Sequence, residues 1–200
     1  MPARLTLITH APTSAQRLSA FPADEPVEQT ALTKLATINW QPPRTNQILT
    51  APELRTQQTA EALNVSATPT NELRDIAYGI WQGRTLNDLY AEDPSSIAQW
   101  LNDPAFTPHN GESIIALITR VGDWLTQLIA EDKNPSHIIA ITHPAVVRAA
   151  ILHTLNALPL SFWRIDIAPL TLTDLRHNGR TWTLRSTATP LTQHNPADSE

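Results

Sequence analysis

Two short apolar runs that each end in a histidine dominate the hydrophobic pattern of the chain. Residues 5–9 lead to His10, and residues 138–142 lead to His143. Continuous runs of this length are typical of strands buried on both faces of a parallel sheet. Because such sheets bind ligands beside the carboxyl ends of their strands, the two histidines are predicted to share one site.

The rest of the chain alternates predicted strands with predicted helices. Helical spacing of apolar residues is clearest from Glu112 to Glu131, and Pro52 and Pro144 suit the first turns of two further helices. Asn178-Gly179 indicates a two-residue hairpin turn. The elements read from the pattern are strands at 4–9, 47–50 and 138–142, helices at 28–39, 53–63, 112–131 and 144–155, partly helical structure near 85–102, and hairpin strands at 170–177 and 180–186.

This alternation predicts an α/β fold, a three-layer α/β/α sandwich with a mostly parallel sheet and a C-terminal β-hairpin. No linker divides the chain, so residues 1–187 are expected to form a single domain. The polar residues 188–200 are expected to form a disordered tail.

Composition and charge narrow the function classes. The chain has 200 residues, a formal net charge of −5 and no cysteine, which excludes disulfides, thiolate catalysis and zinc–sulfur sites. The absence of a basic stripe argues against nucleic acid as a partner. No run approaches the roughly 20 apolar residues of a membrane span, and no signal peptide is visible, so we expect a cytoplasmic protein without a membrane partner.

Four polar residues stand at predicted strand ends or helix starts: His10, Arg55, Asp75 and His143. No His-x-His or His-x₃₋₅-His spacing occurs with a nearby carboxylate in a metal-site pattern, so no metal is expected. No Gly-x-Ser-x-Gly segment is present, which argues against a serine hydrolase.

Five segments in order carry a resemblance over roughly residues 4–155. The chain resembles the histidine phosphatase superfamily, which has the phosphoglycerate-mutase-like fold. The segments are LTLITHAPT, TAPELRTQQTAEAL, LRDIAYGIWQG, NGES and ITHPAVVRAAI, which resemble the family's Arg-His-Gly, Ser-Pro-Leu with Arg and Gln-Thr-Ala, proton-donor, Gly-Glu-Ser and second-histidine segments.

The resemblance implies a phosphomonoesterase that acts on a small phosphorylated metabolite without metal or other cofactor. His10 would attack phosphorus and form a phosphohistidine. Asp75 would donate a proton to the leaving oxygen, with Glu72 as the alternative, and Arg55 and His143 would hold the phosphate oxygens. Hydrolysis is favoured over mutase activity, and a monomer or homodimer is expected.

The first motif departs from the family pattern. Thr9 stands where the family has arginine, and Ala11, Pro144 and Ala145 stand where it has glycines. Thr9 offers a hydroxyl but no charge, and loss of one preorganised donor costs roughly 10²–10³ in rate. The alternative function is therefore a phosphatase-fold module with little or no turnover that binds a phospho-ligand or partner.

Other cations could replace the missing arginine. Arg148, one turn into the helix after His143, is favoured over Arg17 and Arg44. Thr9, Arg148 and Glu112 are predicted to bind substrate together with Arg55, although Glu112 also suits the first turn of its helix. Trp81 and Trp100 are expected to be packing residues.

Overall fold

A computed structural model describes residues 2–38, 40–45, 47–131 and 137–191. Its six-stranded sheet has the order β3-β2-β4-β1-β5-β6. The strands are β1 (Pro2–Thr9), β2 (Gln47–Thr50), β3 (Thr68–Pro69), β4 (His137–Thr142), β5 (Thr171–Asn178) and β6 (Trp182–Pro190). The α-helices are α1 (Ser14–Arg17), α2 (Gln29–Thr37), α3 (Leu54–Ala62), α4 (Leu86–Glu92), α5 (Pro94–Asn102), α6 (Ile114–Glu131) and α7 (Pro144–Leu155).

Four strands, β1 to β4, pair in parallel, and β5 and β6 add antiparallel to the edge of β1. The predicted α/β fold, its sheet and its C-terminal hairpin are thereby confirmed. None of the described helices is both long and apolar enough to cross a membrane.

The position of the central strand β4 explains why apolar and polar residues do not alternate in its sequence. Ile138 and Ala140 pack in one core with α6 and α7, while Ile139 and Ile141 pack in a second core with α2 and α3. All six residues of β4 are buried. Helices cover both faces of the strand, so both sets of side chains must be apolar.

The segment between β3 and α6 folds over one end of the sheet. It contains α4 and α5, as the partly helical prediction near 85–102 anticipated. Trp81 and Trp100 are buried in an aromatic cluster with Phe21, which confirms their packing role. The two ends of the segment are closely joined, since the amide of Glu112 donates to the carbonyl of Ala77 at 2.8 Å.

Two predicted boundaries were wrong. Helix α6 begins at Ile114 and not at Glu112, because the Ser113 hydroxyl accepts the amide of Ala116 at 3.0 Å and so caps the helix. The hairpin bend lies at Gly179 and Arg180, not at Asn178-Gly179. The Asn178 side chain holds this bend by accepting the amides of the second and third residues after it.

Residues 188–191, which were predicted to begin a disordered tail, are ordered in the structure. Strand β6 continues to Pro190 because Thr189 and Pro190 still pair with β5. Leu191 is buried in the core on the α2–α3 side, and its amide donates to the carbonyl of Leu170 at 2.8 Å. The rest of the predicted tail, 192–200, lies outside the described residues.

Candidate active site

The register of β1 and β4 brings the two histidines together. The strands are parallel with Thr9 opposite Thr142, so His10 and His143 leave the sheet at the same level. The amide of His10 donates to the carbonyl of Thr142 at 2.9 Å. The ring centroids lie 5.2 Å apart, and both residues are buried. The predicted proximity of the two rings is present in the structure.

His10 presents one ring nitrogen to a cavity. Its Nδ1 lies 2.8 Å from the carbonyl oxygen of Ala11, which can only accept, so Nδ1 carries the hydrogen and Nε2 the lone pair. Burial, reinforced by the nearby His143 and Arg55, lowers the pKa of His10 to about 3. The ring is therefore neutral at physiological pH. His10 lines a cavity of about 210 Å³ together with Asp75, Tyr78 and Arg148.

Arg55 projects from the first turn of α3 and is 2% exposed. Its Nη2 donates to Oδ2 of Asp75 at 2.7 Å. Its Nε and Nη1 are buried and have no hydrogen-bond partner among the described residues, and the nearest carboxylate beyond Asp75, that of the exposed Asp24, lies 3.8 Å from Nη1. Buried donors are nearly always paired in folded proteins, so a guanidinium left in this state indicates a place for an anion.

Two carboxylates flank His143. Oε2 of Glu53 lies 2.8 Å from its Nε2, and Oδ2 of Asp75 lies 3.4 Å from its Nδ1. The other oxygen of Glu53 accepts the backbone amide of Asp75 at 3.0 Å. Glu53 thus connects the second histidine to the segment that carries the predicted proton donor.

Sequence reasoning missed Glu53. The one signal was its place directly after Pro52, where the family segment Ser-Pro-Leu has leucine. A carboxylate at an apolar motif position next to the predicted phosphate ligand Arg55 could have marked it. Tyr78, which lines the His10 cavity, was also missed because aromatic residues are common in cores.

Both carboxylates are ionised in this arrangement. Burial acts to raise the pKa of Asp75, but the neighbouring His143 and Arg55 outweigh it and hold the pKa below its usual value. For Glu53, burial is likewise outweighed by the hydrogen bond to His143, and its pKa is also lowered. Glu72, the alternative proton donor, is exposed on a short 3-10 helix. It lines neither the His10 cavity nor the neighbouring cavity that is lined by Arg55, Glu53 and Asp75.

Of the cations considered as replacements for the missing arginine, Arg148 lies at the site. It lines the His10 cavity, and its Nε donates to the carbonyl of Ile165 at 2.8 Å. Arg17 is exposed and paired with Glu28. Arg44 precedes β2 and lies near His137, at the opposite end of the sheet.

The hydroxyl of Thr9 is not directed into the cavity. It donates to the carbonyl of Ala168 at 2.7 Å and accepts the amide of Thr171 at 3.0 Å, so it joins β1 to the segment before β5. The substrate-binding role of Thr9 stays a prediction that this placement does not support.

Glu112 also lies apart from the two histidines. Its two oxygens accept Nε and Nη2 of Arg120 at 2.8 and 2.7 Å, and Arg74 lies 3.7 Å away. It lines neither the His10 cavity nor the cavity of about 230 Å³ that holds Arg55 and Glu53. Within the described part of the chain, no group of three or more His, Asp or Glu side chains is arranged to hold a metal ion.

The site has two adjacent histidines at the ends of parallel strands, together with a buried arginine and a carboxylate. This is the arrangement of a histidine phosphatase. The family model for the histidine phosphatase superfamily (branch 1) matches residues 29–189. The chain belongs to this superfamily.

Individual relatives are more distant. The chain is 28% identical over 98 residues to the glucosyl-3-phosphoglycerate phosphatase of Mycobacterium tuberculosis, covering 46% of this chain and 44% of that one. It is 27% identical over 97 residues to the adenosylcobalamin/alpha-ribazole phosphatase of Escherichia coli, covering 48% and 47%. The matches thus span about half the length of these curated relatives.

Solved structures extend the likeness in fold to nearly the whole chain. The alpha-ribazole phosphatase from Shigella flexneri superposes with a TM-score of 0.80 at 23% sequence identity, covering 96% of this chain and 100% of that one. At this identity the likeness shows the fold alone.

Proposed function

We propose that the chain is a phosphomonoesterase that acts on a small phosphorylated metabolite through a phosphohistidine at His10. The observation that carries this proposal is the state of the His10 ring, which is neutral, held by the Ala11 carbonyl, and turned so that Nε2 is available. It stands beside His143, and Arg55 offers buried donors without a hydrogen-bond partner nearby. A neutral imidazole is the nucleophile that in-line attack on phosphorus requires.

The reaction follows from these groups. The Nε2 lone pair attacks phosphorus, the bond from phosphorus to the leaving oxygen breaks, and that oxygen takes the proton of Asp75. Water then attacks the phosphohistidine while the Asp75 carboxylate accepts a proton from it. His10 leaves as the neutral ring, and inorganic phosphate is formed. Arg55, His143 and Arg148 stabilise the charge on the other phosphate oxygens.

Asp75 must gain a proton before the first step, because it is ionised in the free protein. Phosphate binding supplies the cause. His143 and Arg55 lower the pKa of Asp75, and phosphate oxygens that take the donors of Arg55 weaken the second of these two interactions. They also bring negative charge close to its carboxylate, and both effects raise the pKa.

Hydrolysis of p-nitrophenyl phosphate between pH 5 and 8 tests the proposal. We expect turnover by the native chain, loss of turnover in His10→Ala, and a phosphorylated native protein in the intact mass after an alkaline quench. His153→Ala, at an exposed histidine near the end of α7, is the matched control and should remain active. Undiminished turnover in His10→Ala would refute the role of His10.

A second candidate function is a module that binds a phospho-ligand with little turnover. It is favoured by the charge of the site, where Thr9 replaces a cation and Glu53 adds an anion beside His143. Calorimetry with inorganic phosphate separates the two functions. Phosphate binding that weakens in Arg55→Leu, together with no hydrolysis of any ester tried, would support the module.

A further inference from the structure

We propose that an apolar groove beside the His10 cavity binds a flat, uncharged group on the alcohol side of the phosphoester. This inference rests on the proposed phosphatase function and names the class of substrate. The groove has a volume of about 280 Å³ and lies between the segment 19–22, α4, α5 and the 3-10 helix Pro159–Arg164.

The groove adjoins the site of phosphoryl transfer. Ala20, Pro22 and Tyr78 line both the groove and the His10 cavity, so the two spaces lie on either side of Tyr78. Trp163 also connects them, because it lines the groove while the Arg148 guanidinium lies 5.8 Å from its ring centroid. A phosphate held near His10 and Arg148 would therefore direct its ester group along this wall.

The lining decides which ester group fits. It contains no acidic or basic side chain. Its walls are aromatic rings, with Trp100 and Trp163 at 4.6 Å between centroids and Phe21 at 5.6 Å from Trp100. Such walls favour planar apolar groups, which offset stacking and edge contacts stabilise. A leaving group that carries a carboxylate would find no cation there.

The rim of the groove is apolar and exposed. Leu86 and Leu101 are among the large apolar side chains of the described residues that remain exposed, at 36% and 43%. Both line the groove. Exposed apolar side chains grouped at the mouth of a cavity next to a reactive site mark a ligand surface.

Tyr78 contributes the polar group between the two spaces. Burial raises the pKa of its hydroxyl, and Asp75 adds to the effect, so the hydroxyl stays protonated and can donate. The position suits donation to the bridging oxygen or to a polar atom at the near end of the bound group. Apolar contacts further out then discriminate between esters.

The test compares 1-naphthyl phosphate with glycerol 1-phosphate, both by binding to His10→Ala in calorimetry and by turnover with the native chain. We expect 1-naphthyl phosphate to bind at least about tenfold more tightly and to show a correspondingly lower KM. Leu101→Ser should reduce this preference several-fold. Leu155→Ser, at an exposed leucine outside the groove, is the matched control and should leave the preference unchanged.

The outcomes separate this inference from the proposed function. Turnover of both esters with equal binding, or a preference that Leu101→Ser leaves intact, would overturn the groove while the phosphatase stands. A preference for 1-naphthyl phosphate in binding, sensitive to Leu101→Ser but without hydrolysis of either ester, would support the groove and refute the phosphatase. Failure of the chain to bind either ester would overturn the groove as well.

Discussion

A single residue, Glu53, changes the chemistry expected of the candidate site. Its carboxylate fixes the orientation of His143 and at the same time adds negative charge close to where phosphate would bind. The two effects oppose each other, because orientation assists transfer while negative charge repels the substrate. A substitution that removes only the charge can separate them.

Glu53→Gln is expected to lower kcat by about tenfold, since a neutral hydrogen bond replaces a charge-assisted one. The same variant should bind inorganic phosphate several-fold more tightly, because an anion is removed from the site. Steady-state kinetics with phosphate as a competitive inhibitor measures both. Glu61→Gln, at an exposed glutamate of α3, the helix that Glu53 precedes, is the control. If kcat and phosphate inhibition both match the native chain, Glu53 has neither role.

Thr9→Val distinguishes a structural role from substrate binding at the first-motif position. Valine keeps the shape but leaves the amide of Thr171 without its partner, and the carbonyl of Ala168 loses one of the two hydroxyls that donate to it, so we expect a loss of unfolding free energy of about 2 kcal/mol. The KM for p-nitrophenyl phosphate should not change. Urea unfolding and kinetics give both values. Thr33→Val, on the exposed face of α2, should have little effect. A raised KM at native stability would restore the predicted substrate contact.

For single residues, the sequence predicted correctly the positions of those that lie at strand ends. His10 and His143 could be paired because parallel strands bring their carboxyl ends to one edge of the sheet. The role of Glu53 could not be predicted, since it depends on how α3 turns after β2 toward a strand far along the chain. The hydroxyl of Thr9 likewise bonds to a segment about 160 residues away, which no local pattern reveals.

Between elements, the long helix α6 holds the segment that carries Asp75. Arg120 in α6 donates to the backbone carbonyls of Glu72, Arg74 and Asp75 at 2.6, 3.2 and 3.4 Å. Glu112 accepts two further hydrogen bonds from the same guanidinium and so orients it. We infer that Glu112 acts on the Asp75 segment through Arg120, as a positioning residue.

Glu112→Gln and Arg120→Lys are expected to act as one unit. Each should cost roughly 1–3 kcal/mol of unfolding free energy and lower kcat several-fold, because the Asp75 segment loses its support. The double variant should be little worse than Arg120→Lys, since both changes disrupt the same interaction. Thermal unfolding and kinetics of all three variants measure this. Arg84→Lys, in an exposed ion pair with Glu92, is the control. Additive losses, or a KM effect confined to Glu112→Gln, would contradict the positioning role.

The pattern of apolar residues predicted the elements that pack against the sheet and failed where side-chain capping sets the boundary. Strand β2 and helix α7 were predicted at the residues observed, because a buried run and an N-terminal proline mark them. The start of α6 depends on the Ser113 cap. The end of β6 depends on pairing with residues 171 and 172, and neither signal is periodic.

At the scale of the whole molecule, several histidines are buried and uncharged in the folded protein. Burial lowers the pKa of His137 to about 4, and it also lowers the pKa of His109. Together with His10, these residues lie in different parts of the molecule, at the amino end of β4, in the aromatic cluster and at the active site. The composition showed seven histidines but gave no indication of which would be buried without charge.

Acidification should therefore destabilise the fold before its carboxylates titrate. In the unfolded chain these histidines bind protons near pH 6.5, whereas His10 and His137 in the folded chain do so only near 3 and 4. Between these limits the unfolded state holds more protons, so stability is complete above pH 6.5 and falls as the pH drops. Each histidine contributes up to about 1.4 kcal/mol per pH unit.

Urea unfolding at pH 7, 6 and 5 measures this slope. His137→Gln should lower stability at pH 7, because the contact between Nε2 and the Thr6 hydroxyl is altered, yet it should make the loss between pH 7 and 5 smaller. The comparison of slopes separates titration from packing, since packing loss is the same at every pH. Stability that is flat from pH 7 to 5 in the native chain would mean that the buried histidines find compensating partners when they charge. The lowered pKa assigned to His10 would then be wrong.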